Sequence, residues 1–171
     1  MKIVLVGEID SGKSTVVRAA MERLGWDRPA GFFTHWADAG RGAEVLYFET
    51  WSGRRRPMAR RIAAPAVPGG LAYELDRANF TEAAVESLSE AAPGRPVVID
   101  ELGVIELGEP RFAEAVAKLF RGSAPVLAVV QRRALEPWTG IFARENIDRL
   151  LEVDAATRDA LPAKIAALFR A

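Results

Sequence analysis

The sequence predicts one α/β domain with a mainly parallel sheet, helices on both faces of that sheet and an added antiparallel hairpin. Short apolar runs alternate with helical patterns along most of the chain, which is typical of a parallel sheet covered on both faces. Between about 31 and 64 the pattern changes to an alternation of polar and apolar residues, which is typical of a hairpin. A length of 171 residues suits a single domain, so we expect one domain spanning 1–171.

Each element of this fold has its own support in the sequence. Apolar runs suited to buried parallel strands occur at 3–6, 97–99 and 126–130. Helical patterns occur at 15–24, 81–91, 110–120 and about 161–170. Asn79 and Glu82 have the spacing of a capping box before the second helix. Pro110 and Pro162 suit the first turns of the last two helices.

The hairpin is expected at about 31–64 as an insertion into the one domain. Polar and apolar residues alternate through Val45-Leu-Tyr-Phe-Glu-Thr-Trp51, and Ser52-Gly53 supplies the turn. The loop at 65–70 follows, with two prolines and two glycines, and is the one connection that we expect to be flexible.

Composition narrows the possible partners. With 23 basic and 23 acidic residues, the net charge gives no general attraction to nucleic acid or to an anionic membrane. There is no cysteine for a disulfide or thiolate site, and the single histidine, His35, cannot build a histidine metal site alone. No apolar stretch approaches the ~20 residues of a spanning helix, and the N-terminus resembles a strand and not a signal peptide. We expect a cytoplasmic protein with no membrane partner, and nucleic acid is disfavoured.

Residues 7–14 read Gly-Glu-Ile-Asp-Ser-Gly-Lys-Ser, a GxxxxGKS string between the first strand and the first helix. In that context the string is a phosphate-binding loop, because its backbone N–H groups converge on an anion that also faces the positive end of the helix dipole. Lys13 is placed to reach the β- and γ-phosphates, and the Ser14 hydroxyl to bind Mg²⁺. The nucleotide-binding residues expected here are Gly7, Glu8, Ile9, Asp10, Ser11, Gly12, Lys13, Ser14 and Thr15.

A second motif, Val97-Val-Ile-Asp-Glu101, places two carboxylates at the end of an apolar strand. Asp100 is the carboxylate that a nucleotide site needs to hold Mg²⁺ opposite Ser14. Glu101 is placed to polarise a water in line with the γ-phosphate, which is a role that separates hydrolases from kinases. The catalytic residues expected from the sequence are therefore Glu101 and Lys13, and the metal ligands are Ser14 and Asp100. Two solvated acids at a strand end are the alternative.

Three further segments resemble the small cancer-related and thermophile-type nucleoside-triphosphatases, which are P-loop proteins of similar size. The segments are Gly31-Phe-Phe-Thr34, Asp100-Glu-Leu-Gly-Val-Ile-Glu-Leu107 and Ala156-Thr-Arg-Asp-Ala-Leu-Pro162. The second of them is the most specific. Together they extend the resemblance over nearly the whole chain.

The resemblance implies a three-layer P-loop NTPase sandwich with a RecA-like sheet, in which strand 126–130 lies between the strands of the phosphate loop and Asp100. Gln131 would then face the γ-phosphate, although a polar strand end is an equal alternative. The resemblance also makes Arg158 a structural or nucleotide-contacting residue. It implies slow, Mg²⁺-dependent hydrolysis of the terminal phosphate of several nucleoside triphosphates, with weak base preference.

The chain departs from the family pattern inside the phosphate loop and after the first helix. Ile9 and Asp10 stand where the family commonly has proline and glycine. Aspartate tolerates a positive φ, so the turn can form. We expect the Asp10 carboxylate to point outward and to weaken nucleotide binding. A family arginine near the phosphates corresponds only loosely to Arg41.

Five arginines follow the hairpin turn, namely Arg54, Arg55, Arg56, Arg60 and Arg61. They suit a charged strand that stays soluble and unpaired. They also suit a lid over the phosphates or a contact with a nucleic acid backbone. We favour the charged strand because the net charge of the chain is zero.

Three functions fit these residues. A nucleoside-triphosphate hydrolase uses Glu101 to orient water. A nucleotide or small-molecule kinase needs an acceptor pocket, which the sequence does not mark. A nucleotide-dependent switch would engage a partner through the arginine-rich hairpin, but the Asn-Lys-x-Asp string of an ordinary GTPase is absent.

Overall fold

The computed structural model describes residues 1–37, 44–62 and 73–171. Within them, the main elements follow one another in this order: β1 (Lys2–Gly7), α1 (Lys13–Leu24), β2 (Ala30–Trp36), β3 (Val45–Thr50), β4 (Arg55–Arg61), β5 (Tyr73–Leu75), α2 (Arg77–Ser89), β6 (Val97–Leu102), α3 (Pro110–Arg121), β7 (Val126–Gln131), α4 (Leu135–Phe142), β8 (Arg149–Glu152) and α5 (Leu161–Arg170). Short 3₁₀ turns occupy Glu106–Gly108, Arg132–Ala134 and Arg144–Asn146.

One sheet contains all eight strands, in the order β5-β4-β3-β2-β6-β7-β1-β8. The five strands from β2 to β8 in that order pair in parallel, and the three beyond β2 pair antiparallel. Strand β7 lies between β1 and β6, as the family resemblance implied. This order brings the ends of β1, β6 and β7 to one edge of the sheet, where parallel strands place their ligands.

Helices cover the parallel strands on both faces. On one face α1 and α5 pack over residues such as Ile3, Leu5 and Val129. On the other face α2, α3 and α4 close a larger core around Phe32, Phe112 and similar residues. Strand β1 is buried along its whole length, which fits its continuous apolar sequence. The expected three-layer α/β sandwich is therefore confirmed.

The antiparallel part of the sheet is larger than the single hairpin expected from the sequence. Strands β3 and β4 form that hairpin around a turn in which the Gly53 N–H donates to the Thr50 carbonyl at 2.9 Å. Strand β2 joins it to the parallel sheet, and the short strand β5 adds a fourth member. The loop expected to be flexible, 65–70, lies outside the described residues.

Helix α2 begins earlier than the capping box indicated. Its N-cap is Asp76, whose carboxylate accepts from the Asn79 N–H at 3.1 Å, so Asn79 lies inside the first turn. The two prolines do occupy first turns, in α3 and α5. None of the helices in the described residues has the length and apolar character needed to cross a membrane.

Ion pairs join the arginine-rich strand β4, and Arg54 just before it, to α2 and to Glu90 just after that helix. Arg54 contacts Glu86 at 2.6 Å and Glu90 at 2.7 Å, on the exposed surface. Arg56 lies 3.9 Å from Glu86 as well, and Arg55 packs over the Tyr47 ring with its guanidinium carbon 4.0 Å from the centroid. These contacts favour a charged surface strand over a lid for this part of the cluster.

Candidate active site

The phosphate loop leaves β1 and enters α1 through two residues with positive φ. Gly12, immediately before the helix, has φ 94°, and Asp10 has φ 62°. The left-handed conformation at Asp10 is the one in which the sequence predicted aspartate would be tolerated, and its side chain is exposed. Gly7 is confined as well, because a Cβ there would lie 2.5 Å from the Val153 carbonyl oxygen and 2.6 Å from Ser11 Oγ.

Ser11 carries an unusual hydroxyl inside this loop. Among the residues that the structure describes, its Oγ is the one buried side-chain polar atom without a hydrogen bond. Buried polar atoms are normally paired, since leaving one unpaired costs about 1–3 kcal/mol. An unpaired donor beside a helix N-terminus fits an anion.

Lys13 is almost completely buried, with 6% of its side chain exposed. Its Nζ donates to the Glu8 carbonyl at 2.6 Å, so the side chain reaches back across the loop. The same nitrogen lies 3.8 Å from a carboxylate oxygen of Glu101. The cation is therefore between the loop and the end of β6.

Asp100 lies on β6 and is almost completely buried, close to Ser14, Arg18 and Lys13 of α1. The pKa of Asp100 is raised to about 6, mainly by burial and also by the Glu101 charge, against the lowering effects of Ser14, Arg18 and Lys13. Hydroxyl and carboxylate oxygens are the ligands that Mg²⁺ prefers, so this pair fits a divalent cation.

Glu101 follows Asp100 through a cis peptide bond and is partly exposed. Besides its contact with Lys13, its carboxylate accepts a hydrogen bond from the Gln131 amide. Gln131 ends β7 and in turn accepts from Arg133 Nε at 3.2 Å. The structure thus brings together four residues expected from the sequence: Lys13, Asp100, Glu101 and Gln131.

The sequence did not predict the hydrogen bonds that hold Gly103, the residue that contacts Gln131. The Gly103 N–H donates to the buried carboxylate of Glu106 at 2.8 Å, and the Gly103 carbonyl accepts from Trp138 Nε1 at 2.9 Å. Burial raises the pKa of Glu106 to about 7, against the opposing effect of its backbone hydrogen bonds. Both Gly103 and Glu106 belong to the segment that carried the family resemblance, which was the available signal.

Arg158 lies on the other side of the phosphate loop, in the connection between β8 and α5. The Asp154 carboxylate shapes that connection by accepting from the N–H groups of Ala156 and Thr157, each at 2.8 Å. Arg158 and α1 line a hollow of about 460 Å³, whose lining residues are Gly12, Thr15, Val16, Ala19, Arg23, Arg158, Asp159 and Pro162. Arg158 therefore borders the loop, and its role as a structural or nucleotide-contacting residue stays a prediction.

Arg18 is a second residue that sequence reasoning missed. It lies one turn after Ser14 on α1, with its guanidinium carbon 4.8 Å from the Phe33 centroid and 5.5 Å from that of Trp51. The four-residue spacing from Ser14 was the available signal. His35, expected to have no catalytic role, pairs with Glu49 at 3.0 Å. Arg41 lies outside the described residues.

Comparison with known proteins now adds to this geometry. A family model described as NTPase matches residues 2–166. The chain belongs to the NTPase family. The nucleoside-triphosphatase THEP1 of Natranaerobius thermophilus is 31% identical over 170 residues, which are 96% of this chain and 93% of that protein.

Two solved structures share the fold of this NTPase. THEP1 from Aquifex aeolicus superimposes with a TM-score of 0.81 at 25% identity, over 100% of both chains. A human cancer-related nucleoside triphosphatase gives a TM-score of 0.78 at 26% identity, over 99% of this chain and 97% of that one. The resemblance seen in three sequence segments is confirmed, and so is the nature of the NTPase as an enzyme that hydrolyses nucleoside triphosphates.

Proposed function

We propose that this NTPase hydrolyses nucleoside 5'-triphosphates to diphosphate and phosphate with Mg²⁺ as cofactor and with broad base specificity. The observation that carries the proposal is the Glu101 carboxylate, which is fixed between Lys13 and Gln131 at the mouth of the phosphate loop. A carboxylate held there is suited to orient water.

The phosphates bind to the loop between β1 and α1. Backbone N–H groups at the start of α1 and the unpaired Ser11 hydroxyl donate to their oxygens. Lys13 adds a buried positive charge, which in a site of low dielectric stabilises the charge that develops on the transferring phosphoryl group.

Ser14 and Asp100 would hold Mg²⁺, which when bound neutralises charge on the phosphate oxygens. Ser14 lies close enough to Asp100 to lower the pKa of its carboxyl group, so the two side chains are neighbours. The burial of Asp100 limits competition from solvent for its carboxylate.

Glu101 acts as the general base. Its carboxylate accepts a hydrogen bond from the attacking water and receives the proton as the water oxygen bonds to the γ-phosphorus, while the bond from that phosphorus to the β,γ-bridging oxygen breaks and the nucleoside diphosphate leaves. The Gln131 amide fixes one oxygen of this carboxylate, and Lys13 lies near the other. The positions of both partners therefore define which way the free lone pairs of Glu101 point.

The nucleoside would occupy the hollow beside Arg158. Strand order supports this assignment, because β8 and Arg158 lie on one side of β1 while the strands of Glu101 and Gln131 lie on the other. Among the residues that the structure describes, the lining consists of small, aliphatic and charged residues and includes no aromatic ring to select one base by stacking. Broad base specificity follows from such a lining.

Two substitutions test the catalytic roles. Glu101→Gln is expected to bind a non-hydrolysable ATP analogue with Mg²⁺ normally and to lose about 10²–10⁴ in kcat, because the amide cannot accept the proton. Lys13→Ala is expected to lose both binding and turnover. Glu114→Gln and Lys164→Ala, on exposed helix positions, are the matched controls. Wild-type turnover by Glu101→Gln would show that the base is another group.

A panel of ATP, GTP, CTP, UTP and their deoxy forms tests the substrate range, with and without Mg²⁺. Phosphate release without an added acceptor is expected, with kcat/KM values inside about one order of magnitude. A sharp preference for one base would contradict the broad range. Release that requires an acceptor would indicate a kinase, and binding without turnover would indicate a switch.

A further inference from the structure

Gly103, just after β6, lies directly against the side chain that holds Glu101. A Cβ at Gly103 would come within 2.7 Å of Gln131 Nε2 and 2.8 Å of Gln131 Cδ. Only a hydrogen fits there. The Gln131 amide therefore packs directly against the backbone of Gly103 while it donates to the Glu101 carboxylate. We call this backbone surface of Gly103 the wall.

Two buried side chains fix that wall. Glu106 accepts from the Gly103 N–H at 2.8 Å and is 4% exposed, and Trp138 donates to the Gly103 carbonyl at 2.9 Å and is 0% exposed. A buried carboxylate is costly, so it needs hydrogen bonds that compensate for its lost hydration. Here it receives one from the peptide that touches Gln131.

We infer that Gly103 and Glu106 are positioning residues for the hydrolysis, acting through Gln131 on Glu101. The inference rests on the general-base role proposed for Glu101. A glutamine side chain has three rotatable bonds, and its amide stays on Glu101 only if its other orientations are blocked. Displacing a reacting group by about 1 Å can cost on the order of 100-fold in rate, so this blocking affects kcat.

Gly103→Ala tests the wall directly. The added methyl meets the end of a flexible side chain, so the Gln131 amide moves and the backbone stays in place. We expect kcat to fall about 10- to 100-fold, while KM and the affinity for a non-hydrolysable ATP analogue stay within about twofold. Gly140→Ala is the matched control, because its added methyl has open space around it. Wild-type kcat in Gly103→Ala would overturn the inference.

A double-mutant cycle separates positioning from general damage. In Gln131→Ala there is no amide for the new methyl to displace, so adding Gly103→Ala is expected to leave kcat within about twofold of Gln131→Ala alone. A merely structural effect would multiply the two losses, and that result would overturn the inference. Full activity of Gln131→Ala by itself would also overturn it.

Glu106 is tested by two substitutions. Glu106→Gln keeps an oxygen that accepts from the Gly103 N–H and is expected to retain most of kcat. Glu106→Ala removes the acceptor and is expected to match the loss of Gly103→Ala, with melting curves confirming that both variants are folded. Wild-type kcat in Glu106→Ala would remove Glu106 from the inference. Full activity of Glu101→Gln would instead reject the proposed base, so the two failures can be told apart.

Discussion

Glu106→Gln is expected to change how the stability of this NTPase depends on pH. The pKa of Glu106 rises from its usual 4.5 to about 7 in the folded protein. Between those values the native state binds more protons than the unfolded state, so the free energy of unfolding falls as the pH rises. A neutral glutamine removes this dependence at position 106.

The size of the effect follows from the pKa shift. Each pKa unit is worth about 1.4 kcal/mol, so ionisation of the Glu106 carboxylate lowers the free energy of unfolding by roughly 3 kcal/mol at pH 8. About 2 to 3 kcal/mol of that decrease occurs between pH 5 and pH 8. For a domain of this size that is roughly 5–10 °C in Tm. Asp100, whose pKa also rises, contributes a smaller loss over the same interval in both proteins.

Urea denaturation at pH 5 to 8, without nucleotide or Mg²⁺, measures the difference. Ligands must be absent because they stabilise the native state by mass action. The wild type is expected to lose about 2 to 3 kcal/mol more than Glu106→Gln over this range. Glu114→Gln, on the exposed face of α3, is the control and should follow the wild type. Parallel curves for the wild type and Glu106→Gln would refute the reasoning.

Two further predictions concern residues with positive φ. Asp10→Gly and Asp10→Asn are both expected to bind a non-hydrolysable ATP analogue about fivefold more tightly in titrations, because a negative charge near the phosphates costs about 1 kcal/mol in water. Unchanged or weaker affinity would count against a repulsive Asp10. Gly31→Ala is expected to lower stability by about 3 kcal/mol or more, since at φ 93° its Cβ would also collide with the Val98 carbonyl. Gly53→Ala has similar φ but open space, so equal losses in thermal melts would exclude the collision as the cause.

Sequence reasoning succeeded where the chemistry is local. The phosphate loop lies within eight consecutive residues, and the strand before it and the helix after it are amphipathic or apolar enough to recognise. The pair Asp100 and Glu101 is likewise adjacent in sequence. To predict that the phosphate loop and this pair meet at one edge of the sheet, the strand order is needed. The family resemblance implied that order, whereas the periodicity of the sequence did not.

Contacts between distant residues could not be predicted. Gln131 and Glu101 are 30 positions apart, and their hydrogen bond exists because β7 lies beside β6. The support of Gly103 by Glu106 needs the bend at residues 104–105, which returns a carboxylate to a residue three positions earlier. A glutamate in an apolar segment carries no sign in the sequence that it will be buried.

Short or weakly patterned elements were missed for a different reason. Strand β8 has only four residues, with one of them buried, so its sequence shows no clear alternation. The start predicted for α2 was too late because Asp76 and Asn79 are both good capping residues. The upstream residue, Asp76, is the N-cap in the structure, and this adds a turn to the helix.

Two of the four tryptophans give this NTPase built-in optical reporters beside its candidate active site. Trp51 lies against Arg18, one turn along the helix that begins at the phosphate loop, while its indole N–H is fixed to the Val98 carbonyl. Trp138 donates a hydrogen bond from its indole N–H to the carbonyl of Gly103, the glycine that contacts Gln131. Because indole emission responds to nearby charge and hydrogen bonding, the unlabelled protein carries one probe beside Arg18 and another beside the glycine that contacts Gln131. A signal that disappears when one of these two indoles is replaced by phenylalanine, with Trp26 and Trp36 retained, belongs to the replaced indole.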